Sequence, residues 1–184
     1  MFQYKKAIQA LNLFASKTGG HIDLKKAYTL MWLSDRLHLR RHGRTIISDE
    51  YLASIDSLVP GNTKMLIEDD ASFDNKTKEY RDQYIAVGTV VKSMSRVDRT
   101  IFSETDDECL DVIYYTFKDI TDTLELKDYP EWRKWEHTML ITGKSFWVDY
   151  MDFFRDTDNT HGIFLNDIHM IEITMEMYRE TIGY

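Results

Sequence analysis

His38 and His42 stand four residues apart in LHLRRH, a spacing that places two imidazoles on one face of a helix, where they could share a metal ion. The motif H-x-x-x-H lacks the glutamate of the zinc-protease signature, and His21, His137, His161 and His169 have no spacing that nominates a third ligand. The pair therefore reads as solvent-facing histidines near a helix end, with no metal and no cofactor expected. Cys109 is the single cysteine, has no partner motif and lies beside Leu110 in a helical pattern, so it reads as a buried, inert thiol. There is no phosphate-cradling glycine loop and no G-x-S-x-G elbow. With 31 acidic residues, carboxylate pairs arise by chance and none is nominated as acid and base. No catalytic residue is assigned, and a metal-dependent enzyme built on His38 and His42 is the weakest of the readings.

Two other groups of residues are suited to binding. Arg36, His38, Arg40, Arg41, His42 and Arg44 form a basic cluster in an acidic protein, able to meet phosphates or an acidic partner surface. The plainer reading is that these cations complement the end of a helix and pair with nearby acids such as Asp35 and Asp49. Trp132, Trp135, Phe146, Trp147, Tyr150, Phe153 and Phe154 are a second concentration, divided between core packing and exposed anchors of an interface.

The elements that must position these residues follow from patterning. His21 to Arg44 carries two apolar stripes, one through Leu24, Ala27, Tyr28 and Met31 and one through Leu30, Leu33 and Leu37, with Trp32 between them. A helix apolar on two sides is central, and Asp23 is placed to cap its start and Gly43 to end it in the left-handed conformation. A first helix is predicted over Phe2 to Lys17, stopped by Gly19 and Gly20 and packed against the central one as a hairpin. A strand is expected near Tyr51 to Ile55, a helical turn over Thr63 to Ile67, a mobile loop over Ala71 to Lys78, a strand over Tyr84 to Val91, and a return strand over Arg96 to Ile101. Ser103 opens a capping box before Leu110, Ile113, Tyr114 and Phe117. Pro130 starts a short helix, SFWVDYMDFFRD a further one ending near Arg155, and Leu165 to Ile182 the last.

At 184 residues and 43% hydrophobic composition the chain suits one globular domain over 1–184, α+β and mainly α-helical, with a small antiparallel sheet of two or three strands. A net charge of −8 and a pI near 5.2 argue against bulk attraction to nucleic acid or an anionic membrane. One cysteine permits no intrachain disulfide, no apolar run approaches a membrane span, and MFQYKKAIQ has no signal-peptide core, so the cytoplasm is the expected location.

Three successions of residues resemble a known family. Lys25-Lys26-Ala27-Tyr28-Thr29-Leu30-Met31-Trp32-Leu33-Ser34-Asp35-Arg36, then His38-Leu39-Arg40-Arg41-His42-Gly43-Arg44, then Ile47-Ser48-Asp49-Glu50-Tyr51-Leu52-Ala53 are similar to the Panacea domain of SocA-like antitoxins. Phe102 to Asp106 with Leu110 and Phe117, and Tyr129 to Lys134, look like that family's later capped helix and proline-tryptophan segment. The resemblance runs from about Asp23 to Glu136. Ser57-Leu58-Val59-Pro60-Gly61 departs from the family's Gly-Pro-apolar-Pro, Trp32 replaces a tyrosine, and Glu68 to Arg81 is strongly polar. The resemblance implies an antitoxin that neutralises a nearby-encoded toxin by direct binding, with operator DNA as an alternative partner and the oligomeric state open. The residues expected to touch the partner are Arg36, Arg40, Arg41, Arg44, Trp132, Trp135 and Trp147.

Overall fold

The first apolar stripe forms α1 (Tyr4–Lys17), which buries Ala7, Ile8, Leu11 and Phe14 and is enclosed on every side from Ala7 to Ala15. Gly19 and Gly20 follow with φ of 86° and 103°, conformations open to glycine at no steric cost. A short strand, β1 (His21–Asp23), then separates α1 from α2 (Leu24–His42), where a direct hairpin was expected. As predicted, the Asp23 side chain accepts the Lys26 N–H at 3.0 Å and Gly43 closes the helix at φ 69°. Thirteen of the nineteen residues of α2 are buried, which makes it the element the others cover. The computed structural model describes residues 1–54, 57–68, 70–119, 130–154 and 168–182.

Beyond α2 come β2 (Tyr51–Ser54), β3 (Ser57–Pro60), α3 (Gly61–Ile67), α4 (Asn75–Tyr84), β4 (Ile85–Val87), β5 (Val90–Ser93), α5 (Glu104–Phe117), α6 (Pro130–Thr142), β6 (Phe146–Trp147) and α7 (Ile168–Ile182). Single 3₁₀ turns lie at Arg99–Ile101 and Tyr150–Phe154. The chain is α+β and mainly helical, and the strands form two antiparallel sheets where one was expected, in the orders β1-β5-β4 and β3-β2-β6. The helices α1, α5 and α7 pack on α2. The aromatic segment completes the core, with the Trp32 ring 6.0 Å from Trp135 and 6.2 Å from Phe153, both edge-on. Among the described residues no helix is long and apolar enough to cross a membrane.

Four expectations need correction, each for a local reason. The polar stretch 71–78 is not a loop throughout: Asp74 accepts the Thr77 N–H at 2.7 Å and starts α4, whose Tyr80 packs edge-on against Tyr4. The single strand expected over 84–91 is a hairpin, β4 and β5, turning at Gly88 and Thr89. Arg96–Ile101 is not its partner, because β5 already pairs with β1 and β4. Instead Asn12 Nδ2 donates to the Ser95 carbonyl at 3.1 Å and Gln9 Oε1 accepts the Asp98 N–H at 2.9 Å, tying this loop to α1. The helix expected over SFWVDYMDFFRD is β6 followed by a 3₁₀ turn, since Trp147 pairs with Leu52 and the Val148 N–H donates to the Tyr51 carbonyl at 2.8 Å. Its expected end at Arg155, the start of α7 at Leu165 and the strand end at Ile55 lie outside the described residues.

The capping box forms as predicted, with the Ser103 hydroxyl accepting the Asp106 N–H at 3.2 Å and Asp106 Oδ2 accepting the Ser103 N–H at 3.0 Å. Ser103→Ala is expected to lower stability by about 1 kcal/mol, read from the denaturation midpoint at unchanged slope. A change under a few tenths of that would mean Asp106 holds the helix start alone.

Candidate partner-binding surface

The segment from Arg44 to Tyr51 leaves the end of α2 and returns as β2, and two buried carboxylates hold its backbone. Asp35 Oδ1 accepts the N–H groups of Ile46 at 2.8 Å and Ile47 at 3.1 Å, while Oδ2 accepts the Tyr51 hydroxyl at 3.0 Å. Burial pushes the Asp35 carboxyl up to about 7 against the pull of those three hydrogen bonds. Asp49 Oδ1 accepts from the backbone of Glu50 and Asn62, each at 2.8 Å, and its Oδ2 accepts the Thr63 N–H at 2.8 Å, so it caps α3 from outside that helix. Between the two anchors Ser48 takes φ 55°, in the left-handed region. Asp35 and Asp49 thus bind backbone and do not serve as the arginines' counter-ions.

The cations are placed differently. Arg36 and Arg40 are fully buried, and Arg40 Nη1 donates to the Phe153 carbonyl at 3.0 Å. Arg41 reaches Glu108 at 3.4 Å and Arg44 reaches Asp106 at 2.9 Å, with side chains 27% and 45% exposed. Lys6 meets the same Asp106 at 2.6 Å. Burial works to raise the Asp106 carboxyl, but hydrogen bonds from Lys6 and Ser103 and the charge of Arg44 hold it below the usual range. His38 is buried rather than solvent-facing: its Nδ1 lies 2.7 Å from the Arg44 carbonyl and its Nε2 3.0 Å from Thr105 Oγ1. Burial pushes its imidazole down to about 4. Both ring nitrogens are therefore engaged by protein, although the His38 and His42 rings sit 4.6 Å apart. His161 lies outside the described residues, and among the described residues no three His, Cys, Asp or Glu side chains gather as a metal site. Cys109 is buried and its thiol is pushed up to about 12 by burial.

The tryptophans divide sharply. Trp135 is buried and its indole N–H donates to Asp152 at 2.9 Å, and Trp132 is 2% exposed. Trp147 is 57% exposed. Its indole lies against Gly61, where a Cβ would fall 2.8 Å from two ring atoms, so a side chain at the first residue of α3 would displace the ring. A cleft of about 690 Å³ separates Trp147 from α7 and brings together Arg44, Ser48, Glu50, Trp147, Tyr150 and Tyr178. The Tyr150 hydroxyl donates to the Asp49 carbonyl and fixes the cleft floor. Of the seven residues nominated from sequence, Arg44 and Trp147 thus share one surface, Arg41 is half-buried against Glu108, and Arg36, Arg40, Trp132 and Trp135 are enclosed.

The family described as "Antitoxin SocA-like, Panacea domain" matches residues 29–136 of the 184. The chain belongs to that family. No curated protein and no solved structure matches it. The matched part of the Panacea domain holds Asp35, Gly43, Arg44, Asp49 and Tyr51, the residues that fasten the loop after α2. Trp147, Tyr150 and α7, which also line the cleft, lie beyond the match.

Gly61 and Tyr178 were not nominated from sequence, and Tyr150 was named only within the aromatic concentration around Trp147. Gly61 stood out as part of the departure Ser57 to Gly61 from the family pattern, and the ring against it reveals its use.

Proposed function

We propose that this protein is an antitoxin that neutralises a toxin encoded nearby by binding it directly, without catalysis, in the cytoplasm. The match to the antitoxin family carries the reading. Trp147 and Arg44 support it physically: an exposed indole lining the same cleft as a guanidinium is the kind of anchor on which protein interfaces depend. We take residues 1–184 as one domain, because α7 packs on α2 and β6 on β2. The DNA reading has less behind it. Arg36 and Arg40 are buried, Arg41 and Arg44 are paired with acids, and the net charge is −8.

The test is growth of a bacterial host expressing the neighbouring open reading frame with and without this chain, followed by co-purification. Rescue of a growth defect together with co-elution is expected. A harmless neighbour, or rescue without a complex, would reject neutralisation by direct binding.

A further inference from the structure

The outer face of the sheet β3-β2-β6 carries a row of apolar side chains. Leu52 is the direct partner of Val59 on one side and of Trp147 on the other, and directly paired residues of antiparallel strands point to the same face. The residues between them in sequence, Tyr51, Ala53 and Leu58, are buried on the inner face. The row therefore runs across three strands, a span of about 10 Å at the usual strand spacing, and faces outward. Helix α3 stands beside it as a wall, with Met65 39% exposed. Sheet face and helix together enclose a groove of about 390 Å³, with Trp147 at the boundary between this groove and the larger cleft.

The wall is held in place from below. The Gly61 N–H donates to the Glu50 carbonyl at 2.7 Å, and Asp49 caps the same helix start. The indole of Trp147 thus rests on a glycine whose backbone is held in place, which restricts its movement at the edge of the groove. A large aromatic side chain held rigid and left in water loses little conformational freedom when a partner covers it.

Charge selects the occupant. Glu50 and Glu68 line the groove and are exposed, while its lysine, Lys64, lies 3.6 Å from Glu68. The Lys64–Glu68 pair leaves the rim acidic through Glu50, on a chain of net charge −8. A second copy would bring two acidic rims together, and a nucleic acid would bring phosphates to them, so both are disfavoured. An aliphatic or aromatic side chain flanked by lysine or arginine satisfies the apolar row and the rim at once. We infer that the groove between the outer face of β3-β2-β6 and α3 is where the toxin docks, through a basic amphipathic segment that packs against Trp147, Leu52 and Val59. This rests on the antitoxin reading and adds to it the surface and the chemistry of the partner.

The experiment uses the full chain and the product of the neighbouring open reading frame, with affinity measured at two salt concentrations. Trp147→Ala, Met65→Glu and Glu50→Lys probe the groove, while Met94→Ser and Tyr115→Ala probe exposed side chains on other elements. Because the three groove side chains are exposed, melting temperatures report whether each variant folds. The expected result is a loss of about thirtyfold or more for Trp147→Ala, a clear loss for Met65→Glu, and for Glu50→Lys a weaker complex with a flatter salt dependence. The two control variants stay within about twofold of the wild type, on the scale of energetically neutral interface contacts. If the complex forms and growth is rescued but all three groove variants also stay within that range, the placement is overturned while the antitoxin reading stands. If the wild-type chain neither binds nor rescues, the antitoxin reading fails and the inference with it. Self-association of the chain at micromolar concentration that Trp147→Ala abolishes would assign the groove to a second copy and overturn the inference.

Discussion

Asp49→Ala is expected to lower stability by about 4 kcal/mol, near the top of the range for single substitutions. The carboxylate is 1% exposed and accepts three backbone N–H groups, from Glu50, Asn62 and Thr63, besides the side chains of Asn62 and Thr63. Alanine leaves those donors without an acceptor, and each buried orphan costs about 1–3 kcal/mol, less whatever water recovers at the cleft side. Asp49→Asn keeps one accepting oxygen and should lose roughly half as much. Chemical denaturation gives the total, and amide exchange at Glu50, Asn62 and Thr63 locates it. A loss below about 1 kcal/mol would mean that packing rather than the carboxylate holds this corner. Half-buried Asp98, which caps only a 3₁₀ turn through hydrogen bonds at the surface, is the comparison: Asp98→Ala should change stability little.

The second large effect is concealed in the wild type by cancellation. Asp35 has a folded value near 7 against an ordinary 3.8, so the folded state holds its proton more tightly. Its contribution is complete below the unfolded value and is lost as pH rises towards 7. His38 has a folded value near 4 against 6.5, so the folded state resists protonation. Its contribution is present above 6.5 and is lost as pH falls towards 4. His42 is shifted in the same direction as His38 and reinforces it. Between pH 4.5 and 6.5 each of the two larger shifts is worth about 2 kcal/mol, with opposite slopes. The wild type is therefore expected to show a shallow stability profile there. Asp35→Asn removes the falling limb and should gain stability with pH, whereas His38→Gln removes the rising limb and should lose it. Parallel profiles for wild type and both variants would show that neither group titrates across this window.

How much of this was legible in the sequence depends on how local the cause is. Asp23, Gly43 and Ser103 act within a few residues of themselves, and their roles could be read from spacing. The double stripe of α2 announced a central helix for the same reason, since burial on two sides is written into one segment. Asp35 and Asp49 were misread as counter-ions because their true partners, backbone N–H groups eleven to fourteen residues away, have no identity in a sequence. The loop at 94–98 failed similarly, being fastened to α1 by Gln9 and Asn12 across more than eighty residues. At the candidate site the residue types were found but not their exposure. Arginines and tryptophans nominated alike fall on both sides of the surface, and the row through Leu52 exists only once strand register is known.

Trp147 is the one solvent-facing indole of the four in the chain, since Trp32, Trp132 and Trp135 are each 2% exposed or less. The protein therefore carries its own optical reporter at the proposed contact. An aqueous collisional quencher reaches one emitter and spares three, so the quenchable fraction of the fluorescence tracks the cover over that ring. A partner settling there would shift this emission to the blue and shield it, giving a binding signal without a label on either protein.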